Sequence, residues 1–320
     1  MGKCLITKLN GTINNNSMLK IGEIQLDIHS VNSPTAQTQE LNLQFLEDTT
    51  VSIVGNGYFT DSSLTQNNGK THLCKANTRV TLILSNGDYK LSIPNKYKLT
   101  QLLCWNIGSC VSMDIDSLKF STVLNSLSLR NEAVSGDIST LSNLLAFWSL
   151  SLQGTAVSGD ISALRNLTSL SSLNLQGTAV SGDISALRNL TKLTSIKVVN
   201  MSGDISSLNK VQASDVHIVQ STLTGDLAVA LPNVSFLSLY ADAGSLFSWS
   251  SRPSSYTNGG LEGYPTIQNL DKMLQDLANC QVPSKNKLDI IQVRGTRTSA
   301  SDNAVTTLQQ KGYTVSITPA

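Results

Sequence analysis

The sequence is poor in charge, in aromatic side chains and in histidine, and each shortage excludes a class of function. Asp, Glu, Lys and Arg make up 14% of the chain, against about 25% in an ordinary soluble protein. The 23 Lys+Arg nearly cancel the 22 Asp+Glu, leaving a formal net charge of +1. A chain so balanced lacks the basic face that displaces counterions from nucleic acid, so no nucleic-acid partner is expected. The three histidines, His29, His72 and His217, are far apart, and no zinc-protease, Walker, nucleophile-elbow or dinucleotide motif is present. Five cysteines (Cys4, Cys74, Cys104, Cys110, Cys280) are scattered, with neither CxxC nor disulfide spacing. No stretch reaches the roughly 20 apolar residues of a membrane helix, so no membrane insertion is expected. The first residues, with Lys3 and Lys8 around a small apolar patch, lack the apolar run of a secretory signal. Ile6 stands where a myristoylation motif takes Ser or Thr.

What is abundant is serine, about one residue in seven, beside 40% hydrophobic residues. The second figure allows a buried core, and hydroxyl groups take over the solubilising role of charge. The apolar residues recur in register. The hexapeptide VSGDIS at 134–139 returns at 157–162 and 180–185, as MSGDIS at 201–206 and more loosely at 223–228, with a degenerate copy at 111–116. Steps between copies are 23, 23, 23, 21 and 22 residues, and residues 152–168 are repeated verbatim at 175–191. An L-x-x-L-x-L run precedes each copy, as in Leu124-Leu127-Leu129 and Leu170-Leu173-Leu175.

A period of about 20–29 residues with that run is the leucine-rich-repeat signature. Alternation places the leucines inward and the intervening residues outward on a short strand, and stacked coils share one core. The unit resembles the plant-type leucine-rich repeat. It departs from that pattern at Thr155 and Thr178, where the family puts Asn, and in having Ser rather than Pro after Ile. Threonine hydroxyls there are expected to bond loop backbone.

The expected fold is therefore mixed β/α: a leucine-rich-repeat solenoid of 23-residue parallel β repeats over residues 99–245, with a β domain before it and an α/β cap after it. Residues 1–98 alternate as half-buried antiparallel strands at 21–28, 40–45, 78–84 and 88–93, and Ser85-Asn86-Gly87 predicts a hairpin joining the last two. In residues 246–320, Ile267, Leu270, Leu274 and Leu277 predict a helix capped by Thr266, and Ser301 is expected to cap a second helix ending at Gly312. A strand at 290–293 before this second helix and one at 315–317 after it suit a parallel crossover that seals the core.

Two sets of residues are candidate sites. Outward strand positions form a concave face, the usual binding surface of such repeats. Its candidates are Gln101, Trp105, Arg130, Gln153, Asn174, Gln176, Lys197, His217, Phe236 and Tyr240, with aromatics at both ends suited to stacking on sugars. Trp148 and Trp249 are read as core or cap packing. The second set is a column of one Asp per coil, Asp114, Asp137, Asp160, Asp183, Asp204 and Asp226, stacked about 4.8 Å apart. Calcium between coils is one reading. The other, favoured because one Asp per coil supplies few ligands, is that each carboxylate caps a turn. Neither a catalytic residue nor a cofactor is expected.

Three segments taken together, the opening MGKCLITKLNG, the VSGDIS repeats and residues 295–315 (GTRTSASDNAVTTL to KGYTV), resemble leucine-rich-repeat virion and fibre-type proteins of tailed, crAss-like phages and of prophages of gut Bacteroidales. The resemblance implies a non-enzymatic head-fibre or tail-fibre protein, assembled in the host cytoplasm and located in the virion. It implies docking to other virion proteins through the N-terminal domain, a solenoid displayed toward a host glycan or protein, and a possible trimer. A bacterial surface adhesin, a purely decorative or docking component, and a fibre-borne glycan hydrolase are the alternatives.

Overall fold

The computed structural model describes residues 22–30, 39–45, 49–56, 62–66, 71–74, 80–84, 87–93, 97–104, 111–130, 133–230, 236–242, 244–250, 258–279 and 290–319. Before residue 112, Leu102 excepted, the description is of backbone only. Each central coil consists of a strand, a tight turn, a second strand and a 3-10 turn. In the coil of the first full VSGDIS copy these are Ser126–Ser128, Val134–Asp137 and the 3-10 turn Ile138–Leu141. Stacking makes two parallel ladders. The first runs through Tyr97–Cys104, Ser126–Ser128, Ser149–Ser151, Ser172–Asn174, Ser195–Val199, Asp215–Asp226 and Phe236–Ala241. The second runs through Val111–Asp114, Val134–Asp137, Ala156–Asp160, Ala179–Asp183, Met201–Asp204 and the far half of Asp215–Asp226. This is a leucine-rich-repeat solenoid.

The core is the stack of inward residues. Leu127, Leu150, Leu173, Ile196, Val216 and Leu237 line up under the first ladder, and Val134, Val157 and Val180 under the second, all buried. Ile138, Ile161, Ile184 and Ile205 close each coil from the 3-10 side. Full burial of such a side chain contributes roughly 1.5–3 kcal/mol, and neighbouring coils supply that burial.

Two further columns explain why the repeat reads as it does. Thr155 and Thr178 are buried, and their hydroxyls donate to the carbonyls of Leu152 (2.8 Å) and Leu175 (2.7 Å). Ser221 donates to Val219 O at 2.8 Å and accepts from Met201 N at 3.0 Å, and Ser245 repeats this with Ser221 O and Leu223 N. Hydroxyls thus satisfy the buried turn backbone where the plant-type pattern has Asn. The glycine of VSGDIS has two reasons to be glycine. Gly159 has φ +110, and a Cβ there would sit 2.7 Å from Asp137 Oδ1 of the preceding coil. Gly182 (φ +129) stands in the same relation to Asp160.

The N-terminal strands continue both ladders. Gly22–Ser30 pairs antiparallel with Tyr97–Cys104 of the first ladder, and Gln39–Phe45 antiparallel with Val111–Asp114 of the second. Two expectations are corrected here. Gly22–Ser30 and Thr49–Asn56 pair in parallel, so this region is not wholly antiparallel. The expected 85–87 hairpin is not formed, because Val80–Leu84 pairs with Thr49–Asn56 while Gly87–Ile93 pairs with Gln39–Phe45 and Ser62–Gln66 in the other sheet.

At the other end, Asn258–Glu262, Ile290–Arg294 and Thr314–Thr318 extend the first ladder in parallel. Helix α1 (Leu227–Ala230) occupies the 3-10 position of its coil, and α2 (Leu270–Ala278) and α3 (Asp302–Gln310) follow. The first expected cap shifts, while Ser301 stands at the N-cap of α3 as expected but makes no capping bond with its side chain. Thr266 belongs to a strand, Thr266–Ile267, paired with Leu246–Ser248, so α2 starts after Asn269. The Asn269 side chain instead bonds the backbone of Trp249 in the previous coil. Thr298 caps a 3-10 turn, Ser299–Ser301, and the Ser301 hydroxyl donates to Asp271 of α2. Gly312, at φ +95, does end α3. No helix among the described residues is long and apolar enough to cross a membrane.

Candidate functional site

The outward positions of the first ladder carry short polar side chains, and cross-coil bonds order them. Asn174 Nδ2 donates to Gln153 Oε1 at 3.4 Å, and Asn174 Oδ1 accepts from the amide of Gln176 at 3.1 Å. One coil further the face becomes charged. Strand register sets Ser195 opposite Asp215 and Lys197 opposite His217, and three groups converge on the Asp215 carboxylate. Lys197 Nζ lies 3.4 Å from Oδ2, the Ser195 hydroxyl donates to Oδ2 at 3.1 Å, and His217 Nε2 lies 3.1 Å from Oδ1. All are half-buried. Asp215 is absent from the face residues chosen from the sequence, although alternation puts it at an outward position. Its signal was its place at an outward position one coil from Lys197 and two residues from His217.

Ser195 and His217 both address the same carboxylate, that of Asp215. The arrangement holds a fixed polar surface: a cation, an imidazole and a carboxylate presented from rigid strands.

Of the remaining candidates, Arg130 is exposed just past Ser126–Ser128. Tyr240 is 43% exposed at the far end of the face. Gln101 and Phe236 lie on ladder strands whose side chains here are outside the description, and Trp105 lies outside the described residues. Ser126 and Val199, which alternate with the inward Leu127 and Val198, are buried as well. The tryptophans separate. Trp249 is buried with its Nε1 donating to Asp276 at 3.0 Å. Trp148 is not core: it is 48% exposed, immediately before the strand Ser149–Ser151, and its Nε1 donates to Asn125 Oδ1 of the preceding coil at 3.2 Å. Neighbouring Phe147 takes the inward position instead.

The aspartate column stands at the start of the 3-10 turns. Asp137, Asp160, Asp183 and Asp204 each accept, through Oδ1, the amide two residues on, at 2.7–2.8 Å. Asp114 and Asp226 do the same for Asp116 and Ala228. The bond from the Ser139 amide holds the Asp137 carboxyl below the ordinary carboxylate range, and the Ser162 amide does so for Asp160. Among the described residues no three His, Cys, Asp or Glu side chains come together to hold a metal ion.

No family model matches the chain, and no curated protein matches it. Among solved structures it is similar to a plant peptide hormone receptor, RGFR1, in complex with RGF2, at 18% identity and TM-score 0.45 over 65% of this chain and 35% of the receptor chain. A plant ice-binding protein is similar at 18% identity and TM-score 0.47, over 63% of this chain and 68% of that one. Internalin C2 of Listeria monocytogenes is similar at 18% identity and TM-score 0.41, over 69% and 81%. The chain spans about a third of the receptor's length.

Proposed function

We propose that this chain is a non-enzymatic recognition module whose first-ladder face binds a protein or glycan on a host cell, and that it is displayed as a fibre-type component of a tailed-phage virion. The observation that carries the binding reading is the Asp215 cluster. Lys197, His217 and Ser195 are held half-buried on strands by one carboxylate, and such preorganised polar groups lose little freedom when a ligand docks. Tyr240, exposed one strand on, adds an aromatic face for stacking. The virion reading is supported by the three segments that resemble phage and prophage proteins, and docking through residues 1–98, with a trimer as one assembly, belongs to it.

Two measurements test the proposal. The purified chain is expected to bind intact gut Bacteroidales cells or their capsular glycans saturably. Lys197→Ala with Tyr240→Ala is expected to leave the circular dichroism unchanged and weaken that binding about tenfold, as losing one charge-assisted contact does. Binding equal to the parent chain's rejects the face. Immunogold labelling of purified virions tests the placement, and unlabelled particles reject it.

A further inference from the structure

The opposite side of the solenoid, where the 3-10 turns stack, carries two adjoining clefts of about 440 and 320 Å³. They share a wall, Asp160, Ser162, Arg165 and Asn166, and the second cleft is closed by the same four residue types one coil on, ending in Arg188 and Asn189. This is the verbatim repeat of residues 152–168 at 175–191 seen as a surface. A chemical group that meets Arg165 is met again by Arg188 about 4.8 Å along the stack.

The side chains of Arg165 and Arg188 are exposed, and neither makes a hydrogen bond or ion pair with any described residue. The carboxylates beside them each accept a turn amide through one oxygen. Acid and base therefore alternate along each wall. A polyanion would meet a carboxylate beside every guanidinium, and a polycation the reverse. A hydroxyl donates to one and accepts from the other. Half-buried Ala163 and Ala186 give each cleft a small methyl surface. No open strand edge exists there for a peptide to extend, since the backbone of each turn bonds within itself, as Arg165 N does to Ser162 O.

We infer that these two clefts form one binding groove for an uncharged polyhydroxylated polymer, a neutral glycan chain lying along the coil stack with successive sugars at Arg165 and Arg188. The site lies on a different face from the Asp215 cluster and does not depend on it.

The test uses the full chain and neutral sugars from monosaccharide to hexasaccharide (β-1,4-glucose, β-1,4-mannose and α-1,6-glucose series), with sulfated dextran as the polyanionic probe, by titration calorimetry. At least one neutral series is expected to bind with affinity rising with length until both clefts are spanned, because the second contact is intramolecular. Arg165→Ala and Arg188→Ala are each expected to weaken the disaccharide and longer chains about tenfold while leaving the monosaccharide less affected. The double variant is expected to lose the length dependence, and Arg294→Ala, a charge-matched change at a distant strand, to change nothing. Both arginines are exposed, so circular dichroism is expected to remain that of the parent. The inference is overturned if no neutral series binds, if sulfated dextran binds more tightly and is released by salt, or if the length dependence survives in the double variant.

Discussion

A single glycine shows how closely one coil constrains the next. At Gly159 the backbone takes φ +110 and the missing Cβ leaves room for Asp137 Oδ1, so Gly159→Ala introduces strain and crowds the carboxylate that caps the previous turn. The expected cost is about 1–3 kcal/mol, read from the urea midpoint. At buried Thr155, Thr155→Val keeps the shape and removes the hydroxyl's bond to the Leu152 carbonyl, which retains only the Thr155 amide at 3.2 Å, for an expected loss of about 0.5–1.5 kcal/mol. Two of the capping aspartates, Asp137 and Asp160, give the fold an acid limit. Their folded-state pKa lies below the value of 3.8 they have when unfolded, so their contribution is fully present above that value and is lost as pH falls through the folded one. Urea midpoints measured from neutral pH down past pH 4 are expected to drop at the acid end. Asp137→Asn with Asp160→Asn is expected to flatten that drop.

Among the elements, the join between α2 and α3 is the most specific. Asp271, in the first turn of α2, accepts the Ser301 and Thr298 hydroxyls and the Thr298 amide. The two hydroxyls hold its carboxyl below the usual range. The serine that by its position would cap α3 therefore ties that helix to its neighbour instead. Asp271→Ala is expected to lower the thermal midpoint by about 2–4 °C, with the first-ladder face and its ligand binding unaltered. A midpoint equal to the parent's would mean that packing of Leu274, Leu277 and Leu308, all buried, joins the helices unaided.

The whole molecule behaves as a stack in which each coil contacts mainly its neighbours. Because residues 152–168 and 175–191 are identical, deleting residues 152–174 joins Ser151 to Leu175 with the local sequence unchanged. The shortened chain is expected to fold with the same circular dichroism per residue and a smaller denaturant m-value, since less surface is exposed on unfolding. Failure to fold would show that the ends, rather than each coil, set stability. The same deletion removes one wall of the 3-10-side groove while keeping Lys197, Asp215 and His217 together, so it separates the two proposed sites in one chain.

The coil was legible in the sequence because its causes are local. The period set its length, Leu127, Leu150 and Leu173 set which side faces in, and the hydroxyls at 155 and 178 announced the turn bonds that the structure contains. What tertiary structure decided is what lies beside what. Residues 80–84 and 87–93 alternate as hairpin strands would, yet they pair into different sheets. Trp148 falls beside the inward Phe147 and is turned out to the surface. Asp215 gathers Lys197 and His217 only because two strands about one repeat apart stack in register. Periodicity along a chain fixes the direction of a side chain within its coil, whereas its neighbours on the surface depend on the register between coils.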